Sequence, residues 1–241
     1  MNIHFLHGFL GFGSDWFQFS EKFQPHKCFF HNIEDYLPLP NCEKNYFNEW
    51  ATNFNQSVFS KFESEKNILI GYSLGGRLAL HSLRESNKWN GIVIISANPG
   101  LTNELDKTNR INNDKKWADR FLKEDWETVM TSWNSQGVFS GKKNTLTREE
   151  KDYSREKISE VLQGFSLGKQ DNLRDLIISY TKPLVWISGE QDVKFAEIAR
   201  ELHTLNQAIP NHIIANAGHR IPWEEPEQFL EICNKFISNI R

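Results

Sequence analysis

The segment Asn67-Ile68-Leu69-Ile70-Gly71-Tyr72-Ser73-Leu74-Gly75 constrains the fold of this chain more than any other. An apolar, strand-like run ends in the pattern G-x-S-x-G, and Gly76-Arg77-Leu78-Ala79-Leu80-His81-Ser82-Leu83 continues with helical character. Strand, sharp turn and helix in that order put the serine on an elbow, its hydroxyl thrust out above the edge of a sheet. Glycines suit the flanks because side chains there would strike the strand or the helix as the backbone doubles back. The pattern alone also fits an ordinary strand–helix turn, so its meaning depends on what else reaches the same edge.

Other apolar runs supply the rest of a sheet. Ile3-His4-Phe5-Leu6, the stretch from Cys28 to Ile33, Pro183 to Ser188, and His212-Ile213-Ile214 read as strands. Gly91-Ile92-Val93-Ile94-Ile95-Ser96 is an uninterrupted run rich in β-branched residues, as in a strand buried on both faces. Helices are predicted from Ser14-Asp15-Trp16 to about Phe23, with Ser14 as N-cap, over Tyr46 to Phe62, after the elbow, and from about Pro226 to Ile240. Pro38 and Pro40 break the loop ahead of the second of these. Strands alternating with helices predict an α/β fold, a mostly parallel sheet with helices on both faces.

From about residue 102 to 180 the composition changes. The segment is dense in charge, carries Trp117, Trp126 and Trp133, and shows no convincing strand. Helical spacing recurs at Trp117, Phe121 and Leu122 and again at Val129, Met130 and Trp133. The chain thus divides into a core, residues 1–100 and 181–241, and a helical cap insertion, residues 101–180, expected to cover the site. No internal repeat or low-complexity tract interrupts this plan.

Composition narrows the function classes. The chain has 241 residues, of which 39% are hydrophobic and 24% charged, enough for one well-buried core and unlike a disordered segment. A net charge of −3 points away from nucleic-acid and membrane-surface partners. The apolar runs are strand-sized, so no stable membrane insertion is expected, and Met1-Asn2-Ile3-His4-Phe5-Leu6 lacks the features of a signal peptide. Cys28, Cys42 and Cys233 are odd in number and widely spaced, without metal-site or disulfide spacing, which reads as a reducing cytoplasm. No ligand cluster or phosphate loop implies a metal or an organic cofactor. A monomer and a small homo-oligomer both remain open.

Two further residues could join Ser73. Asp192, in Gly189-Glu190-Gln191-Asp192, follows directly on one predicted strand, and His219, in Ala217-Gly218-His219, follows another. Open α/β sheets bind ligands at the carboxyl ends of their strands, so all three residues should share one rim. There Asp192 would hold the imidazole of His219 in one tautomer, and His219 would take the proton of Ser73. Separately, Asp192 could cap the next helix and His219 could be a loop histidine. Their joint order, Ser, Asp, His, is the catalytic one. His4, His31, His81, His203 and His212 read as strand or helix residues, and His26 as a surface one.

An oxyanion hole needs two backbone N–H groups. Leu74, directly after the serine, should give one, and the loop His7-Gly8-Phe9 after the first strand nominates Phe9 for the other. That loop is equally compatible with a plain glycine-rich turn. Arg77 lies one helical turn beyond Ser73, where a cation opposes the positive end of the helix dipole. It therefore asks for an anionic partner, either a ligand or a surface carboxylate.

With these residues in hand, the chain resembles the 2-succinyl-6-hydroxy-2,4-cyclohexadiene-1-carboxylate synthases of menaquinone biosynthesis, an α/β-hydrolase-fold family. The resemblance runs through His7-Gly8-Phe9-Leu10-Gly11, Asp15-Trp16 and Gly71-Tyr72-Ser73-Leu74-Gly75-Gly76-Arg77. It continues at Pro99-Gly100-Leu101, Arg110, Asp114, Trp117-Ala118, Arg120-Phe121, Trp133 and Val138-Phe139. Gly189-Glu190-Gln191-Asp192 with Lys194-Phe195, and Ala217-Gly218-His219, complete it over nearly the whole chain. The hydrolase motifs specify only the fold; the arginine after Ser-Leu-Gly-Gly, the Pro-Gly-Leu segment with Arg110, and Asp-x-Lys-Phe are narrower.

The resemblance implies a lyase rather than a hydrolase. The implied substrate is 2-succinyl-5-enolpyruvyl-6-hydroxy-3-cyclohexene-1-carboxylate, a small tricarboxylate that loses pyruvate to leave a cyclohexadiene. The triad serine would act as base on a ring proton beside the succinyl ketone, and the oxyanion hole would hold the enolate-like charge. Arg77 and Arg110 match substrate-binding arginines of that family, and Tyr72 and Trp133 match aromatics lining its site. A third family arginine has no clean counterpart, since Arg148 and Arg155 both lie near its expected place. Two antiparallel strands that usually open the sheet in that family are expected to be missing ahead of Ile3-His4-Phe5-Leu6. Tyr36-Leu37-Pro38-Leu39-Pro40 stands where a Pro-Gly-His-Gly turn is common, and Arg220-Ile221-Pro222-Trp223 where a second histidine often occurs. A carboxylesterase or carbon–carbon bond hydrolase with Ser73 as nucleophile is the alternative enzyme. A non-catalytic binding protein on the same fold is the alternative from another class.

Overall fold

Six strands, β1 (Asn2–Leu6), β2 (Lys27–His31), β3 (Asn67–Tyr72), β4 (Gly91–Ile95), β5 (Leu184–Gly189) and β6 (Asn211–Ile214), form one sheet. Their order is β2-β1-β3-β4-β5-β6, and every neighbouring pair is parallel. This is a computed structural model that describes residues 1–39, 45–139 and 144–240. Pro40 and Cys42 lie outside the described residues. The sheet contains no antiparallel pair among the described residues, so the α/β fold is wholly rather than mostly parallel.

Alternation along each strand builds two cores. In β4, Ile92 and Ile94 face one side while Val93 and Ile95 face the other, each packing with like neighbours from β1, β3 and β5. Helices α1 (Tyr46–Phe62) and α2 (Leu74–Glu85) cover the first face. A run of 3-10 turns, Gly13–Phe23, covers the second through Trp16, Phe19 and Phe23.

Between β4 and β5 the chain forms α3 (Glu104–Lys123), α4 (Trp126–Asn134), α5 (Arg155–Gly164) and α6 (Arg174–Ser179), with no strand among the described residues. Helices α3, α4 and α5 share a cluster of their own in which Phe121, Trp126, Val129, Met130, Ile158 and Leu162 meet Leu10 from the β1 loop, whereas α6 packs into the first core through Ile177. Leu122, expected on the same stripe, points outward and is 38% exposed. Helix α7 (Val193–Leu205) adds to the first face, and α8 (Ile221–Glu224) and α9 (Pro226–Ser238) to the second. No helix among the described residues is long and apolar enough to cross a membrane.

Ser14 does not cap the first helical segment. Phe12 is the N-cap residue, and its N–H donates to the carboxylate of Asp15 at 3.0 Å. An acidic residue three places into a helix can reach back to the cap nitrogen, and here that interaction prevails over the serine hydroxyl.

Beneath the sheet edge lies a polar chain absent from any motif. His4 Nδ1 is 3.0 Å from His31 Nε2, His4 Nε2 is 3.1 Å from Asn67 Oδ1, and His31 Nδ1 is 2.7 Å from the Tyr36 hydroxyl. Burial lowers the His4 pKa from 6.5 to about 4. Burial, and then the neighbouring His4, lowers that of His31 to about 3. An unfolded chain therefore takes up protons below pH 6.5 that the folded chain refuses. Stability is expected to be complete above about pH 6.5 and to drain as pH falls toward 4, each histidine contributing at most about 1.4 kcal/mol per pH unit. Urea unfolding at pH 7.5, 6 and 5 checks this: His4→Phe should flatten the decline, and an unchanged slope would contradict it.

Candidate active site

Strands β1 and β3 are neighbours, but the chain leaves β1 toward β2 and β3 toward β4, on opposite flanks. Loops that diverge in this way leave a crevice at the carboxyl ends of the strands. Two close approaches shape it. A Cβ on Gly75 would sit 2.5 Å from the carbonyl oxygens of both Leu6 and His7, so only glycine lets α2 begin this close to β1. A Cβ on Gly8 would sit 2.8 Å from the Tyr72 ring and 3.4 Å from the Ser73 Cβ, so the β1 loop presses directly on the elbow.

Ser73 itself is held at φ 53°, ψ −111°. A non-glycine residue at positive φ is strained, and the packing around it must enforce that conformation. Its N–H donates to Ile95 O at 2.8 Å, which anchors the elbow to β4.

The loops after β5 and β6 are tied to each other. The Glu190 N–H donates to Ile214 O and the Gln191 N–H to Ala217 O, each at 2.9 Å. This brings Asp192, from one loop, against His219, from the other. The His219 Nδ1–H donates to Asp192 Oδ2 at 2.6 Å, and the Ser73 hydroxyl donates to His219 Nε2 at 2.9 Å. The tautomer follows because a buried carboxylate can only accept. Asp192 and His219 are 3% and 4% exposed, and Phe195 and Phe139 pack against the imidazole.

Two amides of residues lining the same cavity are without acceptors among the described residues. Leu74 is the first residue of α2, so its N–H has no intrahelical partner. The Phe9 N–H likewise finds no acceptor among the described residues. Its direction is set by His7, whose part the motif alone did not disclose. The buried His7 Nδ1–H donates to Gly8 O at 2.8 Å, while His7 Nε2 accepts from the Ile33 N–H at 3.0 Å. Gly8 C=O and Phe9 N–H belong to one planar trans peptide, so pinning the carbonyl turns the N–H the opposite way.

These groups open into a cavity of about 320 Å³, a volume suited to a small metabolite. Tyr72, Arg77, Arg110 and Trp133, all singled out from the sequence, line it. Trp133 is wedged between Phe9 (4.8 Å between ring centres) and Trp117 (5.0 Å). The Arg77 guanidinium donates to Phe165 O at 2.8 Å and to Gln170 Oε1 at 3.1 Å, and no carboxylate among the described residues pairs with it. Burial, and then the nearby Arg110, lowers its pKa to about 9, which still leaves it cationic at neutral pH. Arg110 donates through Nε to both oxygens of buried Asp114, at 2.8 and 2.9 Å, leaving its terminal nitrogens for another acceptor.

Of the two candidates for a third arginine, Arg148 lines the cavity and Arg155 does not. Arg148 grips Asp15 through two hydrogen bonds of 2.9 and 2.6 Å. Arg155 is bound instead to Glu150 and to the carbonyls of Phe121 and Glu124. The cavity also receives Lys194 and Arg220, the first seen in the sequence only within a family motif and the second only as a departure from one.

Against known proteins, residues 5–232 match the model of the alpha/beta hydrolase family. The chain is 32% identical to the 2-succinyl-6-hydroxy-2,4-cyclohexadiene-1-carboxylate synthase of Salmonella arizonae, over 92% of this chain and 88% of that protein. It is 30% identical to the protein of the same name from Citrobacter koseri, again over 92% and 88%. The structure of MenH from S. aureus superposes with a TM-score of 0.85 at 22% identity, covering 99% of this chain and 93% of that one, a likeness of fold.

Proposed function

The chain belongs to the alpha/beta hydrolase family and, within it, to the 2-succinyl-6-hydroxy-2,4-cyclohexadiene-1-carboxylate synthases, and on that premise we propose that it is a lyase of menaquinone biosynthesis. It eliminates pyruvate from 2-succinyl-5-enolpyruvyl-6-hydroxy-3-cyclohexene-1-carboxylate. The observation that carries this reading is the hydrogen-bonded run Ser73–His219–Asp192 opening into a cavity lined by five cations, of which Arg77, Lys194 and Arg220 have no carboxylate partner among the described residues.

In the proposed reaction His219 Nε2 takes the Ser73 proton as the serine oxygen takes the ring proton beside the succinyl ketone. Asp192 holds the imidazole and stabilises the imidazolium. The electron pair left on the ring moves onto the ketone oxygen, which the Phe9 and Leu74 N–H groups stabilise as an oxyanion. When it returns, the ring alkene shifts into conjugation, the C–O bond to the enolpyruvyl group breaks, and the leaving enolate is protonated to pyruvate. His219 returns that proton, so nothing is consumed.

Arg77, Arg110 and Arg148 bind carboxylates of the substrate, and Tyr72 and Trp133 wall the ring. Charge-assisted contacts of this kind contribute about 1.5–3 kcal/mol each where water is excluded. We read residues 101–180 as a cap that completes the cavity over the core, and the enzyme as a cytoplasmic one. Given the enolpyruvyl substrate, purified protein should release pyruvate and generate the conjugated diene absorbance in equal amounts. Absence of pyruvate would sink the reading.

A further inference from the structure

Five cationic side chains line the cavity, Arg77, Arg110, Arg148, Lys194 and Arg220, together with two carboxylates, Asp15 and Asp114. Asp114 pairs with Arg110 at 2.8 Å and Asp15 with Arg148 at 2.6 Å. Arg77, Lys194 and Arg220 make no ion pair among the described residues, which leaves the lining with three cations that nothing neutralises.

Arg220 is the most unusual of the three. It is 7% exposed, its Nη2 donates to Asn134 Oδ1 at 2.7 Å, and its guanidinium lies 3.8 Å from the centre of the Phe139 ring. Its Nη1 is buried without a hydrogen-bond partner among the described residues. Burial pulls its pKa down, but an arginine stays charged at neutral pH. An enclosed guanidinium nitrogen with no acceptor is costly, and such groups call for an explanation. The backbone here is also fixed, since the Arg220 N–H donates to Glu224 Oε1 at 3.1 Å. Asn134 and Phe139 therefore hold one edge and one face of the guanidinium and leave the Nη1 edge for something else.

We propose that Arg220 is a substrate-binding residue whose Nη1 donates to one carboxylate of the substrate. The three unneutralised cations then balance the net charge of three acids, to which Arg110 and Arg148 also donate, and Arg220 supplies net charge that the paired Arg110 and Arg148 do not. This inference rests on reading the cavity as a tricarboxylate site. A purely structural Arg220, stacked on Phe139 and bonded to Asn134, would support folding without touching affinity.

The test is calorimetric binding of the enolpyruvyl substrate to Ser73→Ala protein and to the same protein carrying Arg220→Met or Arg220→Lys. Arg220→Gln replaces the methionine variant if the latter fails to fold. Arg220→Met should bind at least about tenfold more weakly, with a shallower dependence on ionic strength, and Arg220→Lys should recover part of the loss. A loss smaller than about threefold, an unchanged salt dependence, or no binding to the Ser73→Ala parent would overturn the proposal. A lower melting temperature with unchanged affinity would mark the residue as structural. Pyruvate release by wild-type protein, measured alongside, reports on the reaction separately. Release with unchanged affinity in Arg220→Met removes Arg220 and keeps the elimination, whereas weakened affinity without release keeps Arg220 and removes the elimination.

Discussion

Replacing Ser73 by alanine is expected to lower kcat for pyruvate release by roughly 10³-fold or more. The serine oxygen is the only atom in the proposed mechanism that takes the ring proton, and His219 Nε2 stands 2.9 Å behind it to receive the displaced hydrogen. Alanine removes that oxygen and little else. The Asp192–His219 hydrogen bond remains, as do the Phe9 and Leu74 amides and the cationic lining, so KM should change far less than kcat. That split identifies a group used in the transition state rather than in binding. Equal losses in kcat and substrate affinity, or a variant retaining a tenth of the wild-type rate, would contradict the assignment of Ser73 as base.

Arg77→Ala is expected to reduce kcat/KM by about tenfold to a hundredfold, the range of one charge-assisted contact in a water-poor site. The side chain leaves the start of α2, where the helix dipole already disfavours a cation, and no carboxylate among the described residues compensates it. The Phe165 carbonyl and the Gln170 side chain orient the guanidinium but do not neutralise it. A bound substrate carboxylate would. Lysine at this position should restore only part of the loss, because a point charge cannot make both the fixing contacts and a forked contact to the substrate. An unchanged kcat/KM in Arg77→Ala would show that the substrate does not use this residue.

Features legible in the sequence are those encoded locally. The elbow announces itself because strand, G-x-S-x-G and helix are contiguous, and Asp192 and His219 can be placed because each follows a strand within a few residues. The parallel α/β sheet follows from the alternation of short apolar runs with helical ones, and the Tyr46–Phe62 helix from its apolar spacing. What could not be read depends on distant pairing. Arg148 and Asp15 are 133 positions apart, and only the fold shows that Arg148 reaches the cavity while Arg155 turns to Glu150. His4 and His31 look like isolated strand histidines until β1 and β2 pair in parallel and bring their rings into contact. Ser14 does not cap the first helical segment because the helical turns begin ahead of it, at Gly13, with Phe12 as N-cap and Asp15 bonding back to the Phe12 N–H. Arg220 stood out in the sequence only as a departure from a family pattern; its interest lies in a nitrogen left unpaired by its three-dimensional neighbours among the described residues.

One comparison bears most directly on whether this hydrolase-type apparatus performs an elimination: kcat/KM for pyruvate release from the enolpyruvyl substrate against kcat/KM for simple aryl esters, measured on one preparation. With Ser73 serving as a base in a site built around three carboxylates, pyruvate release should exceed ester hydrolysis by orders of magnitude. Ester turnover that rivals it would mean that Ser73 works as a nucleophile and that the chain is a hydrolase.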